Sequence, residues 1–286
     1  MDQIRQAIAQ AVRGRVVGPG GAERARELFA TEGPRWFVPG SPIFRVHSDV
    51  SMFVGGLRAL LLQSLHPLAM AGVAQHSDYK ADPWGRLQRT ADFLAATTFG
   101  TEDQASAACA RVRAVHQRVR GVASDGRPYT ANDPHLLRWV HVTEVESFLL
   151  AHDRYGERRL GPRQRDRYVA DMARVASELG VPDPPRDVAS LTRTIGSFRT
   201  ELAGTAEARE AARFLLAPPL PPAAVGPYAL LSAAAIGLLP RWARRPLELP
   251  WLPVTETIAV RPAGRTLVRG LRWALAAPAP AASEGR

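Results

Sequence analysis

Met52-Phe-Val-Gly-Gly-Leu-Arg-Ala-Leu-Leu-Leu-Gln-Ser-Leu65 is apolar on nearly every side when it is wound at the helical period. A helix that is hydrophobic all round has to be covered on all sides, so this stretch predicts the central helix of a helical core. His66-Pro67 follows directly, and the proline is expected to end or bend the helix there. The stretch is too short and too interrupted to predict a membrane span.

The segments around this helix carry helical start and stop signals. Asp82-Pro83 and Asp133-Pro134 each place an acidic N-cap before a proline at the first helical position. No segment alternates polar and apolar residues for long enough to predict a strand. We therefore expect an all-α fold, a single multi-helix globular domain over residues 1–277, followed by a disordered Pro/Ala-rich tail over 278–286. Helices are expected over 2–13, 22–31, 49–65, 82–98, 102–121, 135–152, 163–180, 188–202, 206–216, 223–239 and 254–275.

The overall composition excludes several classes of protein. The 286 residues carry a net charge of +10, but Lys80 is the only lysine and no compact basic run is present, so we expect no nucleic-acid partner. Cys109 is the only cysteine, which excludes an internal disulfide and a cysteine-based zinc site. The first residues show no secretion signal, so we expect a cytoplasmic protein.

One stretch, Arg113-Ala-Val-His116-Gln-Arg-Val-Arg120, places a histidine between two arginines. If the stretch is one helix, these three residues share a sector about 60° wide beside an apolar stripe. An imidazole at such a border suits an axial ligand of haem iron, with the arginines near the haem propionates. The ordinary alternative is a half-buried helix with a hydrogen-bonded histidine and two solvated arginines. The apolar stripe consists of Val112, Val115 and Val119.

Two further helix faces mix polar and apolar residues. Arg86, Arg89 and Thr90 share a face with Phe93, which suits the wall of a cavity; the alternative is a surface helix with a stray aromatic residue. On a later helix, a His141-x-x-Glu144 pair lies within an apolar face and needs hydrogen-bond partners there. The alternative for this pair is a structural hydrogen bond. A non-haem metal site is disfavoured because its candidates form no compact ligand motif. These candidates are His66, His76, Asp78 and Asp82.

Several spaced motifs, in order over about residues 40–250, resemble one family. They are Gly55–Pro67, Ala71–Asp78, Asp82–Thr90, Val115-His116 and Trp139-Val-His141. The chain is similar to the bacterial oxygenase family that includes latex-clearing protein (rubber oxygenase) and the mycophenolic-acid-pathway oxygenase. The resemblance implies an all-helical fold that encloses a pocket for one haem b.

The resemblance also implies roles for particular residues. The proximal motif Arg-x-x-His-x-x-x-Arg makes His116 the iron ligand, with Arg113 and Arg120 orienting it or binding propionates. The distal motif Arg-x-x-Lys-Thr is matched by Arg86-Leu-Gln-Arg89-Thr90, in which Arg89 replaces the lysine. A guanidinium has no lone pair to give, so the distal position is expected to be open or water-bound.

Around that pocket, Arg89 and Thr90 are expected to donate hydrogen bonds to bound dioxygen or peroxide. His141 or Glu144 can move protons, although an indirect supporting role explains them as well. Among the remaining residues, those expected to contact the cofactor are Arg86 and Phe93.

The expected function is a haem-b-dependent oxygenase that acts on a small or medium hydrophobic substrate with dioxygen or peroxide. Rubber itself is not expected as the substrate, because no secretion signal is visible. The alternative is a non-catalytic haem-binding carrier or sensor. The Arg241–Arg245 segment, which is basic and contains an aromatic residue, is of the kind that contacts lipid headgroups at a membrane surface.

Overall fold

The computed structural model describes residues 2–16 and 18–276, which form one all-α domain with a single small hairpin. The tail predicted from Pro278 lies outside the described residues. The helices are α1 (Asp2–Val16), α2 (Gly21–Ala30), α3 (Pro42–His47), α4 (Met52–Gln63), α5 (Pro67–His76), α6 (Pro83–Phe99), α7 (Glu102–His116), α8 (Pro134–Tyr155), α9 (Pro162–Leu179), α10 (Val188–Ser197), α11 (Ala206–Leu216), α12 (Pro222–Ile236), α13 (Arg241–Arg244), α14 (Pro253–Thr255) and α15 (Arg261–Leu275). A 3₁₀ turn (Phe198–Thr200) follows α10, a π-helical turn (Glu256–Val260) joins α14 to α15, and the strands are β1 (Arg120–Val122) and β2 (Pro128–Thr130).

The centre of the fold is the contact between α4 and α8, which confirms the central position predicted for the apolar stretch. Leu61 and Leu62 of α4 are fully buried, as is Trp139 of α8. Gly55 lets the two helices approach closely, because a Cβ atom there would lie 3.1 Å from the backbone of Phe148. Burial of this kind stabilises a fold by about 1.5–3 kcal/mol for each large apolar side chain.

The chain turns sharply at His66-Pro67, as predicted. The proline ends α4 and begins a second helix, α5, which is bent by 107° from α4. Within the described residues no single helix has both the length and the apolar character to cross a membrane. Helices α4 and α5 together have the length and composition, but only as this bent pair.

Two buried arginines tie the helices together through charged partners. Arg58 of α4 is 1% exposed, and its Nη2 donates to Glu146 Oε2 of α8 at 2.8 Å. Arg244 is also 1% exposed and forms a buried ion pair with Glu256. Arg244 therefore faces the interior, and the exposed cations of the Arg241–Arg245 segment are its first and last residues.

The prediction of one helix over residues 102–121 is wrong beyond His116. The Val119 amide donates to the His116 carbonyl at 3.1 Å, a tight i to i+3 closure that ends α7. Arg120 then begins β1, which pairs with β2 across a turn that contains Gly126 at φ 85°. Arg120 is therefore not on the helix face that was predicted to carry His116 and Arg113. Val115 is 45% exposed, so it does not belong to a buried apolar stripe.

Candidate functional site

Helices α6 and α7 form an antiparallel helical hairpin. The motif around Arg86 lies near the start of α6 and the motif around His116 near the end of α7, so both are at the end of the hairpin away from the connection. Thr101 caps α7, with its hydroxyl accepting from the Gln104 amide, and only two residues separate the helices. His116 and Arg86 each lie about 20 Å along their helix from that connection, at 1.5 Å per residue. Because α6 and α7 pack against each other, His116 lies opposite the first turns of α6.

His116 is half-buried at the end of α7. Its ring makes no hydrogen bond, ion pair or ring contact with any residue that the structure describes. Burial lowers the pKa of this imidazole below its usual value, so the neutral form is favoured. The hydrogen-bonded histidine of the ordinary alternative is therefore not what the structure shows. A neutral, unpartnered imidazole is chemically able to ligate a metal.

Arg86 is a half-buried cation without a counter-charge. Its Nη1 donates to Ser77 Oγ at 3.1 Å, and within the described part of the chain no carboxylate pairs with it. Burial is the main cause that lowers the pKa of this guanidinium, while the nearby Tyr79 opposes the shift. An uncompensated guanidinium at this position is suited to receive a carboxylate or another anion.

Arg89 and Thr90 are exposed, and their polar partners within the described part of the chain belong to their own segment. The Arg89 side chain is 68% exposed, and its Nη1 lies 3.3 Å from Oδ2 of Asp82, the N-cap residue of α6. The Thr90 hydroxyl donates to the Arg86 carbonyl at 3.0 Å. Phe93, one turn further, is partly buried and packs against the core around Trp139.

Neither of the two arginines expected beside the histidine is shown in contact with it. The Arg113 guanidinium donates to the Glu178 carbonyl at the end of α9, which ties α7 to that helix. Arg120 is exposed in β1, and its carbonyl lies 3.1 Å from His76 Nε2. Neither guanidinium has a contact with the His116 ring in this structure.

His141 and Glu144 lie on one face of α8, where His141 is buried and Glu144 is half-buried. His141 is 8% exposed, its Nε2 has no hydrogen-bond partner, and burial is the main cause that lowers its pKa to about 4. Burial raises the pKa of the half-buried Glu144 carboxyl to about 7, and none of the described residues hydrogen-bonds to it. The two do not bond each other, so the structural His–Glu bond considered as an alternative is absent from the described residues.

A buried polar chain lies near Glu144 and was not predicted from the sequence. His47 Nδ1 lies 2.7 Å from the Thr98 hydroxyl, and its Nε2 lies 3.3 Å from the Tyr168 hydroxyl. Burial lowers the pKa of His47 to about 3 and, together with the Glu144 charge, raises that of Tyr168. These three residues come from three helices, so no local spacing in the sequence could have grouped them.

A second cluster contains His66, His135 and Glu201, with one potential ligand atom from each lying within 4.8 Å of the others. Of the non-haem metal candidates considered from the sequence, only His66 belongs to it. His135 and Glu201 were missed because they lie 69 and 135 residues further along the chain.

Comparison with known proteins gives one result. The family model described as the ER-bound oxygenase mpaB/B'/rubber oxygenase catalytic domain matches residues 44–274. No curated protein and no solved structure matches the chain. The matched range runs from α3 into α15 and includes every candidate residue discussed above. The chain therefore belongs to the mpaB and rubber oxygenase catalytic-domain family.

Proposed function

We propose that the protein is a haem-b-dependent oxygenase that acts on a small or medium hydrophobic molecule with dioxygen or peroxide. Membership of an oxygenase family supports the reaction class. The observation that carries the haem assignment is the half-buried His116 ring, which has no partner among the described residues and lies opposite the cationic start of α6. Oxygen chemistry would be supplied by the haem when it is bound, and the chain's own residues would bind and orient it.

The donor set around His116 fits a haem. A neutral imidazole is a common axial ligand of haem iron, and the guanidinium of Arg86 lacks the carboxylate that a propionate would provide. Val115, 45% exposed beside His116, offers apolar surface that a porphyrin could cover. Arg89 cannot ligate iron because a guanidinium stays protonated, so the sixth position would be left for the oxidant.

Arg89 and Thr90 are proposed to donate hydrogen bonds toward the oxidant or the substrate. Arg89 would have to leave Asp82, but an exposed ion pair of this kind is worth only about 0.2–1 kcal/mol. The free energy lost when Arg89 leaves Asp82 is therefore small compared with that of the charge-assisted hydrogen bond that it would gain in a haem pocket from which water is excluded.

Glu144 and His141 are proposed to hold and move protons. With its pKa raised to about 7, the Glu144 carboxyl is partly protonated near neutral pH and can act as either acid or base. His141 stays neutral down to about pH 4, so near neutral pH its ring can accept or donate a hydrogen bond without carrying charge, and it becomes an imidazolium when it takes up a proton.

The proposal is tested by the absorption spectrum of the purified chain and by turnover. We expect a Soret band that carbon monoxide shifts after reduction, and consumption of a hydrophobic substrate when peroxide or a reductant with dioxygen is supplied. A chain that binds no haem after reconstitution would contradict the proposal. A chain that binds haem but turns over no substrate from a hydrophobic panel would instead support the carrier or sensor alternative.

A further inference from the structure

We propose that His66, His135 and Glu201 bind one divalent first-row transition-metal ion, such as Zn²⁺, at a site separate from the haem. His66 lies at the bend between α4 and α5, His135 in the first turn of α8, and Glu201 directly after the 3₁₀ turn that follows α10. The ion would join three segments that are distant in the sequence.

The distances between the ligand atoms suit tetrahedral coordination. Oε2 of Glu201 lies 2.7 Å from His135 Nε2 and 3.5 Å from His66 Nε2. Ligand atoms about 2.0–2.1 Å from a tetrahedral zinc ion lie roughly 3.3 Å apart, so the two distances bracket that value. Small rotations of the side chains would bring these two pairs to that spacing, and all three ligand atoms already lie within 4.8 Å of one another.

The His66 ring is buried and has unused hydrogen-bonding capacity. The residue is 1% exposed, and neither nitrogen of its ring has a hydrogen-bond partner within the described part of the chain. Buried polar atoms are almost always satisfied in folded proteins, and a metal ion would satisfy this one.

Charge and access are also compatible with a cation. The carboxylate of Glu201 offsets one positive charge, and the nearby Arg127 is already paired with Asp125 at 2.7 Å. The side chains of His135 and Glu201 are 50% and 36% exposed, so an ion can enter and a water molecule can complete the shell.

None of the three proposed metal ligands is a residue that we propose to hold the haem or to act at it. His135 and Glu144 are nine residues apart on α8, which places them on opposite faces of the helix at 100° per residue. Loss of metal binding is therefore expected to leave the haem spectrum unchanged, and the two proposals can fail separately.

Untagged, chelator-treated full-length chain is titrated with Co²⁺, whose visible absorption reports its ligands, and Zn²⁺ content is measured by elemental analysis. We expect one equivalent bound, with His135→Ala and Glu201→Gln each weakening affinity by more than about tenfold. These positions are partly exposed, so both variants should fold. His76→Ala, which removes a histidine outside the cluster, is the matched control and should bind as the wild type does.

The wild type should also gain thermal stability from Zn²⁺, and the two ligand variants should not. If the wild type takes up no Co²⁺, the proposal is overturned. It is equally overturned if both ligand variants bind Co²⁺ as tightly as the wild type does.

Discussion

His141 and Glu144 lie one turn apart on the same face of α8, and no hydrogen bond joins them. Each is shifted by burial toward its neutral form, the imidazole to a pKa of about 4 and the carboxyl to about 7. A fold rarely leaves a buried atom such as His141 Nε2 without a partner, because an unsatisfied buried polar group costs about 1–3 kcal/mol. The persistence of His141 and Glu144 is explained if they serve chemistry rather than packing.

The raised pKa of Glu144 makes the stability of the haem-free chain depend on pH. The folded carboxyl titrates near 7 and the unfolded one near 4.5, so ionisation destabilises the fold as pH rises through this window. The change amounts to about 3 kcal/mol at full ionisation. Glu144→Gln should remove this component, so denaturant unfolding of the variant should vary less between pH 5 and pH 8. Identical pH dependence in the two proteins would show that the carboxyl is not shifted.

Glu144→Gln is also expected to slow turnover. Removing a group that transfers protons typically costs about 10²–10⁴-fold in rate, and haem content should stay unchanged because Glu144 is not a proposed ligand. The wild-type rate should titrate near pH 7 and the variant should lose that limb, as measured by steady-state kinetics across pH. If Glu144→Gln keeps full activity and the wild-type dependence of rate on pH, Glu144 does not transfer the proton.

Arg89 and Thr90 are expected to matter for reaction rather than folding. Since both are exposed, Arg89→Ala and Thr90→Ala should each change the free energy of unfolding by less than about 1 kcal/mol. Loss of one donor aimed at developing charge typically costs on the order of a hundredfold in rate. Thermal melts and single-turnover kinetics of both variants check this. If both variants are strongly destabilised but react at the wild-type rate, Arg89 and Thr90 serve packing, and their proposed role at the haem is wrong.

Arg89→Lys tests the distal position directly. Unlike a guanidinium, a lysine amine can lose its proton and ligate iron. We expect the wild type to bind imidazole or carbon monoxide readily, whereas the variant gains a six-coordinate spectrum at alkaline pH. If the wild-type iron is already six-coordinate and binds neither imidazole nor carbon monoxide, another side chain ligates it and the expectation is wrong.

Arg58 is expected to be critical for stability. Arg58→Ala removes a fully buried guanidinium together with its hydrogen bonds to Ser147 and the Leu238 carbonyl, and it leaves Glu146, which is 25% exposed, without its partner. The variant should therefore lose about 3–5 kcal/mol of stability. Arg127→Ala removes a half-exposed pair and should change stability by less than about 1 kcal/mol. Chemical denaturation measures the free energy of unfolding of both variants. Equal losses in the two variants would show that the Arg58–Glu146 contact does not stabilise the fold more than an exposed ion pair does.

The helical fold could be predicted because its strongest signals are local. The apolar stretch Met52–Leu65 had to be buried, and Asp82-Pro83 and Asp133-Pro134 mark the starts of α6 and α8. Helix α5 was not predicted because the proline was expected only to end or bend α4, and no helix was assigned to the residues after it.

The candidate site could be predicted only in part. His116, Arg86 and Glu144 were visible as polar residues at unusual positions on helix faces. The placement of Arg120 failed because periodicity cannot detect the tight closure at Val119 that ends α7. The cluster of His66, His135 and Glu201 depends on tertiary packing, which no spacing in the sequence encodes.

The most direct test of the account is the haem content of His116→Ala compared with His135→Ala. Both remove one partly exposed histidine, but only His116 is the proposed axial ligand. After haem reconstitution, haem per chain is measured by extraction together with the Soret band, and the fold is monitored by circular dichroism. We expect His116→Ala to keep its helical fold and to lose most haem, whereas His135→Ala should keep both. Haem content and a spectrum in His116→Ala equal to those of the wild type would contradict it.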